Sequence, residues 1–214
     1  MSSSEDLQGF TSEAASYLLG IAADNSKAYF EANRELYSRA VRQPLEDLLC
    51  VAESMYGPGK IMRPNRDVRF SANKDPYRTD ASMWAGNVGG VYLNLNPERL
   101  EAGGGLYEPA RDQLDRARTA IAENPKVADD LKAIFDELIA KGFTVAGPSL
   151  KTAPRGMDPI HPAIELLRLQ HYAALRQLPL EAKPERILET WKALVPLIEW
   201  VETYVGPSTI QRSH

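Results

Sequence analysis

The chain is poor in the residues on which recognisable chemistry usually rests. It has one cysteine, Cys50, so no intrachain disulfide forms, and the lack of a disulfide framework fits a reducing compartment. Cys50 falls within the apolar helical pattern Leu45, Leu48, Leu49 and Ala52. No base or positive charge nearby would activate its thiolate, so a buried structural thiol is expected. The histidines are His161, His171 and the terminal His214. No His-Glu-x-x-His or Cys/His spacing joins them, and His161 and His171 are too far apart to share one helix face closely, so no metal site is expected. The sequence lacks a Gly-Lys-Ser/Thr phosphate loop, a spaced-glycine dinucleotide fingerprint and a Gly-x-Ser-x-Gly elbow. The start of the chain, Met1 to Asp6, is polar and acidic, and the first basic residue is Lys27. The apolar stretch Ala14 to Ala23 is too short to span a bilayer and lacks the charged flank of a signal peptide. A cytoplasmic location without a membrane partner is therefore expected.

What is present is ordinary in bulk. The chain has 214 residues, 43% of them hydrophobic and 25% charged. That is enough to bury a substantial core, and it argues against wholesale disorder. The formal net charge of −4 gives no general attraction to nucleic acid. The charge is unevenly spread, however. Between Lys60 and Arg78, six cations (Lys60, Arg63, Arg66, Arg69, Lys74 and Arg78) face two acids, Asp67 and Asp75, a net of +4 that leaves −8 for the remainder.

Periodicity gives the elements. Residues 11–22 predict a helix capped by Thr11 or Ser12, with Ala15, Leu18, Leu19 and Ala22 as its apolar stripe. Asp24 or Asn25 would cap a longer helix reaching Ala52, broken or kinked at Pro44 and ended by Gly57-Pro58-Gly59. Val91, Leu93 and Leu95 alternate with Tyr92, Asn94 and Asn96 as in a half-buried strand. Leu100 to Ala102 would return after a turn at Pro97-Glu98-Arg99. Lys60 to Met62 and Val68 to Phe70 would complete a small antiparallel sheet. Helices resume after Gly103-Gly104-Gly105, starting at Pro109 and again at Asn124-Pro125, with Gly142 closing the second. Phe143 to Val145 and Leu150 to Thr152 read as strands. Pro162 to Leu175 reads as a helix, as does Pro184 to Tyr204 with a bend at Pro196. No repeat, low-complexity tract or long linker divides the chain. The order predicts a single α+β domain over residues 1–214, a central small antiparallel sheet flanked by N-terminal and C-terminal helices.

Arg63, Arg66 and Arg69 recur at a spacing of three, followed by Lys74, Tyr77 and Arg78. Extended, the segment would put Asp67 and Arg69 on one face and Arg66 on the other. Arginine carries five planar donors and suits carboxylate and phosphate. The candidate ligand site is therefore an anion pocket of Arg63, Arg66, Asp67, Arg69, Lys74, Tyr77 and Arg78. The same residues also suit an internally paired network that pins a loop. Gly103, Gly104 and Gly105 are added as backbone amides before a helix start that could cradle an anion. A tight turn or close backbone packing explains the same glycines.

The run Arg63…Arg66-Asp67-Val68-Arg69-Phe70-Ser71…Asn73-Lys74…Pro76-Tyr77-Arg78-Thr79 resembles the signature of the conserved bacterial family known as domain of unknown function 2461. Asn25 to Asn33 resembles that family's early helix, with Tyr29 where tryptophan is more usual. Tyr92-Leu93-Asn94-Leu95…Pro97 and Gly103 to Pro109 resemble its central strands and glycine turn, with Tyr107 again in place of tryptophan. Leu150 to Gly156 and His161-Pro162…Glu165-Leu166-Leu167 resemble its later region, so the match runs from about Phe10 to about Tyr204. The resemblance implies no established activity, substrate or cofactor, and no catalytic residue is carried over.

The residues allow three readings. One is a small binding module holding an anionic ligand. Another is an enzyme on a phosphorylated or carboxylated small molecule, with Asp67, Tyr77 or His161 as acid or base, His161 partnered by Asp67 being the first candidate. The third is a structural or protein-interaction role. The binding module is the expectation, with the cofactor, if there is one, unknown. Phe70, Tyr77 and Trp84 interleave with basic residues, as single-strand binding uses, but the acidic balance ranks nucleic acid below the other partners.

Overall fold

The computed structural model of the chain describes residues 7–69 and 72–210. Helix α1 spans Ser12–Ala23, its first turn capped by the Thr11 hydroxyl, which accepts from the Glu13 amide at 3.3 Å. Its buried stripe is Ala14, Tyr17, Leu18 and Ile21, one position ahead of the expected one, and Leu19 is 58% exposed. Helix α2, Lys27–Ala32, is capped by Ser26 rather than by Asp24 or Asn25. Asn25 is unavailable because its side-chain amide bonds the backbone of Ile21 and Tyr77.

The expected long helix is segmented. After α2 come α3 (Arg34–Tyr37), a π-helical turn (Ser38–Arg42) and α4 (Gln43–Tyr56). Within the π turn the Gln43 amide reaches back to the Ser38 carbonyl. Pro44 follows with no amide hydrogen to give, so the break falls where proline predicts it. Gly57 ends α4 with φ of 111°, a conformation that side chains disfavour.

The strands are β1 (Gly59–Ile61), β2 (Ala81–Gly86), β3 (Gly90–Leu95), β4 (Arg99–Leu106), β5 (Thr144–Val145) and β6 (Tyr172–Pro179). They form one antiparallel sheet in the order β1-β2-β3-β4-β6-β5. Lys60 lies opposite Trp84, and Thr144 opposite Leu175. The remaining helices are α5 (Arg111–Glu123), α6 (Pro125–Ala140), α7 (Ile164–Leu167), α8 (Pro184–Ala193) and α9 (Val195–Tyr204). Asn124 caps α6, Gly142 follows its end with φ of 83°, and Pro196 sits in the first turn of α9. The fold is α+β, as the element order predicts. Among the described residues no helix is long and apolar enough to cross a membrane.

Several local expectations are corrected. Gly103 to Gly105 do not form a turn but continue β4, and α5 begins at Arg111 rather than at Pro109. The helix expected from Pro162 to Leu175 is reduced to α7, and Tyr172 to Leu175 belong to β6. Tyr172, Ala173 and Ala174 are consecutively buried, so pairing in the sheet overrides the helical preference of Ala and Leu. Val68 and Arg69 form no strand, and Phe70 lies outside the described residues. Leu150 to Thr152 form none either, and their neighbour Ser149 makes an isolated bridge to Leu169. Strand β2, with Ala81, Met83 and Ala85 buried, was not anticipated. Cys50 is exposed rather than buried, because it lies across the helix from Leu48 and Ala52.

The described residues divide into two compact units, one within Met1–Gly86, Tyr92–Ala102 and Gln177–Thr190, the other within Asn87–Val91, Gly103–Arg176 and Trp191–His214. The core of the first includes Tyr17, Leu18, Ile21, Leu45, Leu48, Met83, Leu93, Leu95 and Leu100. The core of the second includes Ile121, Leu131, Phe135, Tyr172, Trp191 and Leu197. There Arg118, buried on α5, donates from Nε to the Leu167 carbonyl at 3.0 Å and from Nη2 to the Leu169 carbonyl at 3.3 Å, fixing the chain between α7 and β6.

Candidate functional site

The arginine segment belongs to the first unit and forms a loop between β1 and β2. An isolated antiparallel bridge, Asn65 to Tyr77, closes its base. The Arg66 amide donates to the Pro76 carbonyl at 2.8 Å, and the Arg78 amide to the Pro64 carbonyl at 2.7 Å. Asn25 extends the closure. Its Oδ1 accepts from the Tyr77 amide at 2.8 Å, and its Nδ2 donates to the Tyr77 carbonyl at 3.1 Å. The Tyr77 ring turns inward, 5% exposed, and stacks on Phe30 at 4.4 Å between centroids with 9° between planes. Phe30 continues through Tyr37 to Tyr17 at 5.8 and 5.3 Å. Tyr77 is thus the anchor of the loop, joining it to an aromatic cluster on α1, α2 and α3.

The charged side chains separate into two groups. Arg69 grips Asp67 in a two-pronged pair, Nη2 to Oδ2 at 2.7 Å and Nε to Oδ1 at 3.0 Å. Lys74 Nζ donates to the Val68 carbonyl at 3.1 Å. Arg78 Nη2 donates to Asp80 Oδ2 at 2.7 Å, and Asn94 Nδ2 donates to the same oxygen at 2.7 Å. These cations are committed. The side chains of Lys60, Arg63 and Arg66 make no hydrogen bond or ion pair among the described residues. Arg63 acts on Asp67 by charge alone, one of the influences that lower that carboxyl to about 2, of which the Arg69 side-chain hydrogen bond is the largest.

A small pit opens beside the base of the loop, lined by Tyr17, Leu18, Tyr37, Met62, Pro64, Arg78, Asp80 and Ala81. Burial raises the Tyr17 phenol well above its ordinary range, with neighbouring Tyr37 adding to the effect. Tyr17 is therefore a neutral O–H donor at any working pH. Of the sequence-predicted residues only Arg78 reaches this pit. Tyr17, Tyr37 and Asp80 were missed. The signal for Tyr17 was a polar-tipped aromatic at helical spacing within the apolar stripe of α1, and Asp80 lies just outside the arginine segment.

Gly103, Gly104 and Gly105 are buried in β4 of the second unit. A Cβ on Gly105, whose φ is 109°, would lie 2.3 Å from the Tyr172 carbonyl oxygen, and one on Gly104 2.9 Å from the Gly90 carbonyl oxygen. Close backbone approach accounts for both. His161 braces its own turn, Nδ1 accepting from the Ala163 amide at 3.0 Å and Nε2 lying 3.3 Å from the Ala122 carbonyl. With Asp67 held by Arg69 and the His161 ring occupied in this way, each member of that candidate acid-base pair has other partners. Among the described residues no group of three or more His, Cys, Asp or Glu is placed to hold a metal ion.

The family model described as conserved hypothetical protein (DUF2461) matches residues 13–200. No curated protein matches the chain.

Proposed function

The chain belongs to that family, and we propose that it is a small binding module whose β1–β2 loop receives an anionic small molecule. The observation that supports this reading is the division of charge within the loop. Asp67 and Asp80 are spent on Arg69 and Arg78, the loop's other carboxylate, Asp75, forms no ion pair among the described residues, and the side chains of Arg63 and Arg66 have no partner among them either. A backbone closed at Asn65–Tyr77 and tied down by Asn25 also presents them at little entropic cost, which favours binding. The working compartment is the cytoplasm and the partner a soluble metabolite. The acidic remainder of the chain disfavours nucleic acid and anionic membrane.

The test is a thermal-shift screen of phosphorylated and carboxylated metabolites on wild type, Arg63→Ala and Arg66→Ala. A ligand that binds the folded state raises its melting temperature with concentration. The expected result is a concentration-dependent rise in wild type that shrinks by half or more in either variant, with the unliganded melting temperatures within about 1 °C because surface substitutions of this kind change stability little. Equal shifts in all three proteins would refute the assignment.

A further inference from the structure

The pit beside the loop carries an inference more specific than the loop charge. Tyr17 is 2% exposed and lines the pit, yet its hydroxyl has no hydrogen-bond partner among the described residues. Arg78 lines it too, and its Nε–H is buried without a partner. Buried polar groups are nearly always satisfied, so the unpartnered Arg78 Nε–H calls for an acceptor, and the Tyr17 hydroxyl on the same small cavity is a second donor with no partner among the described residues. The pit has a volume of about 10 Å³, the space one water molecule needs. One oxygen atom of a ligand fits there, and a whole headgroup does not.

The charges narrow the class. Arg78 is neutralised by Asp80, whose Oδ2 already accepts from Arg78 and Asn94, so the pit itself carries no net charge. A phosphate presents three or more strong acceptor oxygens and would need more donors and more room than this. The walls beyond the donors are apolar: Leu18, Met62, Pro64, Ala81 and the ring of Tyr37. Pro64 is preceded in the chain by Arg63, one of the cations without a partner among the described residues.

We infer that the pit receives one carboxylate oxygen of a small organic acid, accepting hydrogen bonds from the Tyr17 hydroxyl and Arg78 Nε, with the apolar body of the acid against Met62 and Pro64. The inference deepens the anion-site reading and rests on it for the balancing charge of Arg63 and Arg66.

The experiment is an NMR titration of the full chain with butyrate, butyramide and inorganic phosphate, on wild type, Tyr17→Phe, Arg63→Ala and Arg66→Ala. The expected result is that butyrate moves the Tyr17 ring resonances and the amides around Pro64 and Asp80 of wild type. Tyr17→Phe, which deletes one oxygen atom, should then weaken butyrate about tenfold or more, the usual effect of losing a hydrogen bond to a charged group. Butyramide should bind more weakly than butyrate. Should Tyr17→Phe melt early, the wild-type Tyr17 resonances decide, and their failure to move overturns the inference. Phosphate binding that depends on Arg63 and Arg66 while butyrate does not bind overturns the carboxylate assignment and leaves the anion-site reading standing. So does butyrate binding equally to Tyr17→Phe and wild type while the arginine variants lose it. Loss in Tyr17→Phe with no change in Arg63→Ala and Arg66→Ala upholds the pit and overturns the loop reading. No binding of any probe to wild type overturns both.

Discussion

Asp67 and Arg69 make an ion pair whose partners are both exposed, 52% and 77% at the side chain. Arg69 holds the carboxyl down from an ordinary 3.8 to about 2, first through its side-chain hydrogen bond and then through its backbone amide. A carboxyl whose pKa is lower in the folded state stabilises the fold above its unfolded pKa, and that contribution disappears as the group is protonated. The pair should therefore contribute fully above about pH 4 and lose its effect between about pH 4 and pH 2. Solvent screening keeps the effect small. Melting temperatures of wild type and Asp67→Asn should differ slightly at about pH 6 and converge by about pH 2. A gap that persists unchanged in acid would mean that Asp67 acts by some route other than this pair. At this scale the sequence showed which residues are charged but not which are spent. Asp80, which occupies Arg78, sits just beyond the segment that stood out, and the Val68 carbonyl that holds Lys74 leaves no trace in side-chain identity.

Helices with a strong apolar period were legible. The cap at Asn124, the closing Gly142 and the break at Pro196 all lie where residue chemistry places them. Strands with clean alternation were legible too, as β3 shows with Val91, Leu93 and Leu95 inward. What was hidden is what neighbours decide. The Ala-Ala-Leu run of β6 favours a helix until strands on both sides offer it hydrogen bonds. The glycines of β4 read as a turn because their real constraint, backbone passing at contact distance, is invisible in one dimension. That constraint is testable. Gly105→Ala would force a Cβ to within 2.3 Å of the Tyr172 carbonyl oxygen at a φ of 109°. It should destabilise the protein by about 2–4 kcal/mol, lowering the melting temperature by about 5–15 °C for a chain of this size. Gly156 has a φ of 84° but open space, with nothing within 4 Å of where a Cβ would lie. It is the control for backbone strain alone and should tolerate alanine at a cost of about 1–2 kcal/mol. Equal effects at both positions would remove the packing explanation for Gly105.

All six strands share one hydrogen-bonded sheet, and we propose that the chain unfolds as a single domain. Its tryptophans report on both units, Trp84 in the first and Trp191 and Trp200 in the second. Unfolding in urea followed by far-ultraviolet circular dichroism, by the fluorescence of wild type and by that of a Trp84→Phe variant should give coincident transitions once the stability change of the variant is allowed for. Two separated midpoints would show that the units melt independently and would refute the single-domain proposal. The Asn65–Tyr77 bridge has a further consequence for how this molecule can change over generations. Because the β1–β2 loop is pinched shut at its base, the chain beyond the pinch can grow or shrink without disturbing the sheet. The entropy of ring closure rises only with the logarithm of ring size, so doubling the length of the tip costs about 0.6 kcal/mol. If the loop binds as proposed, its ligand preference can drift by insertion and deletion there, while Asn25, Phe30 and Tyr77 keep the hinge of the purse closed.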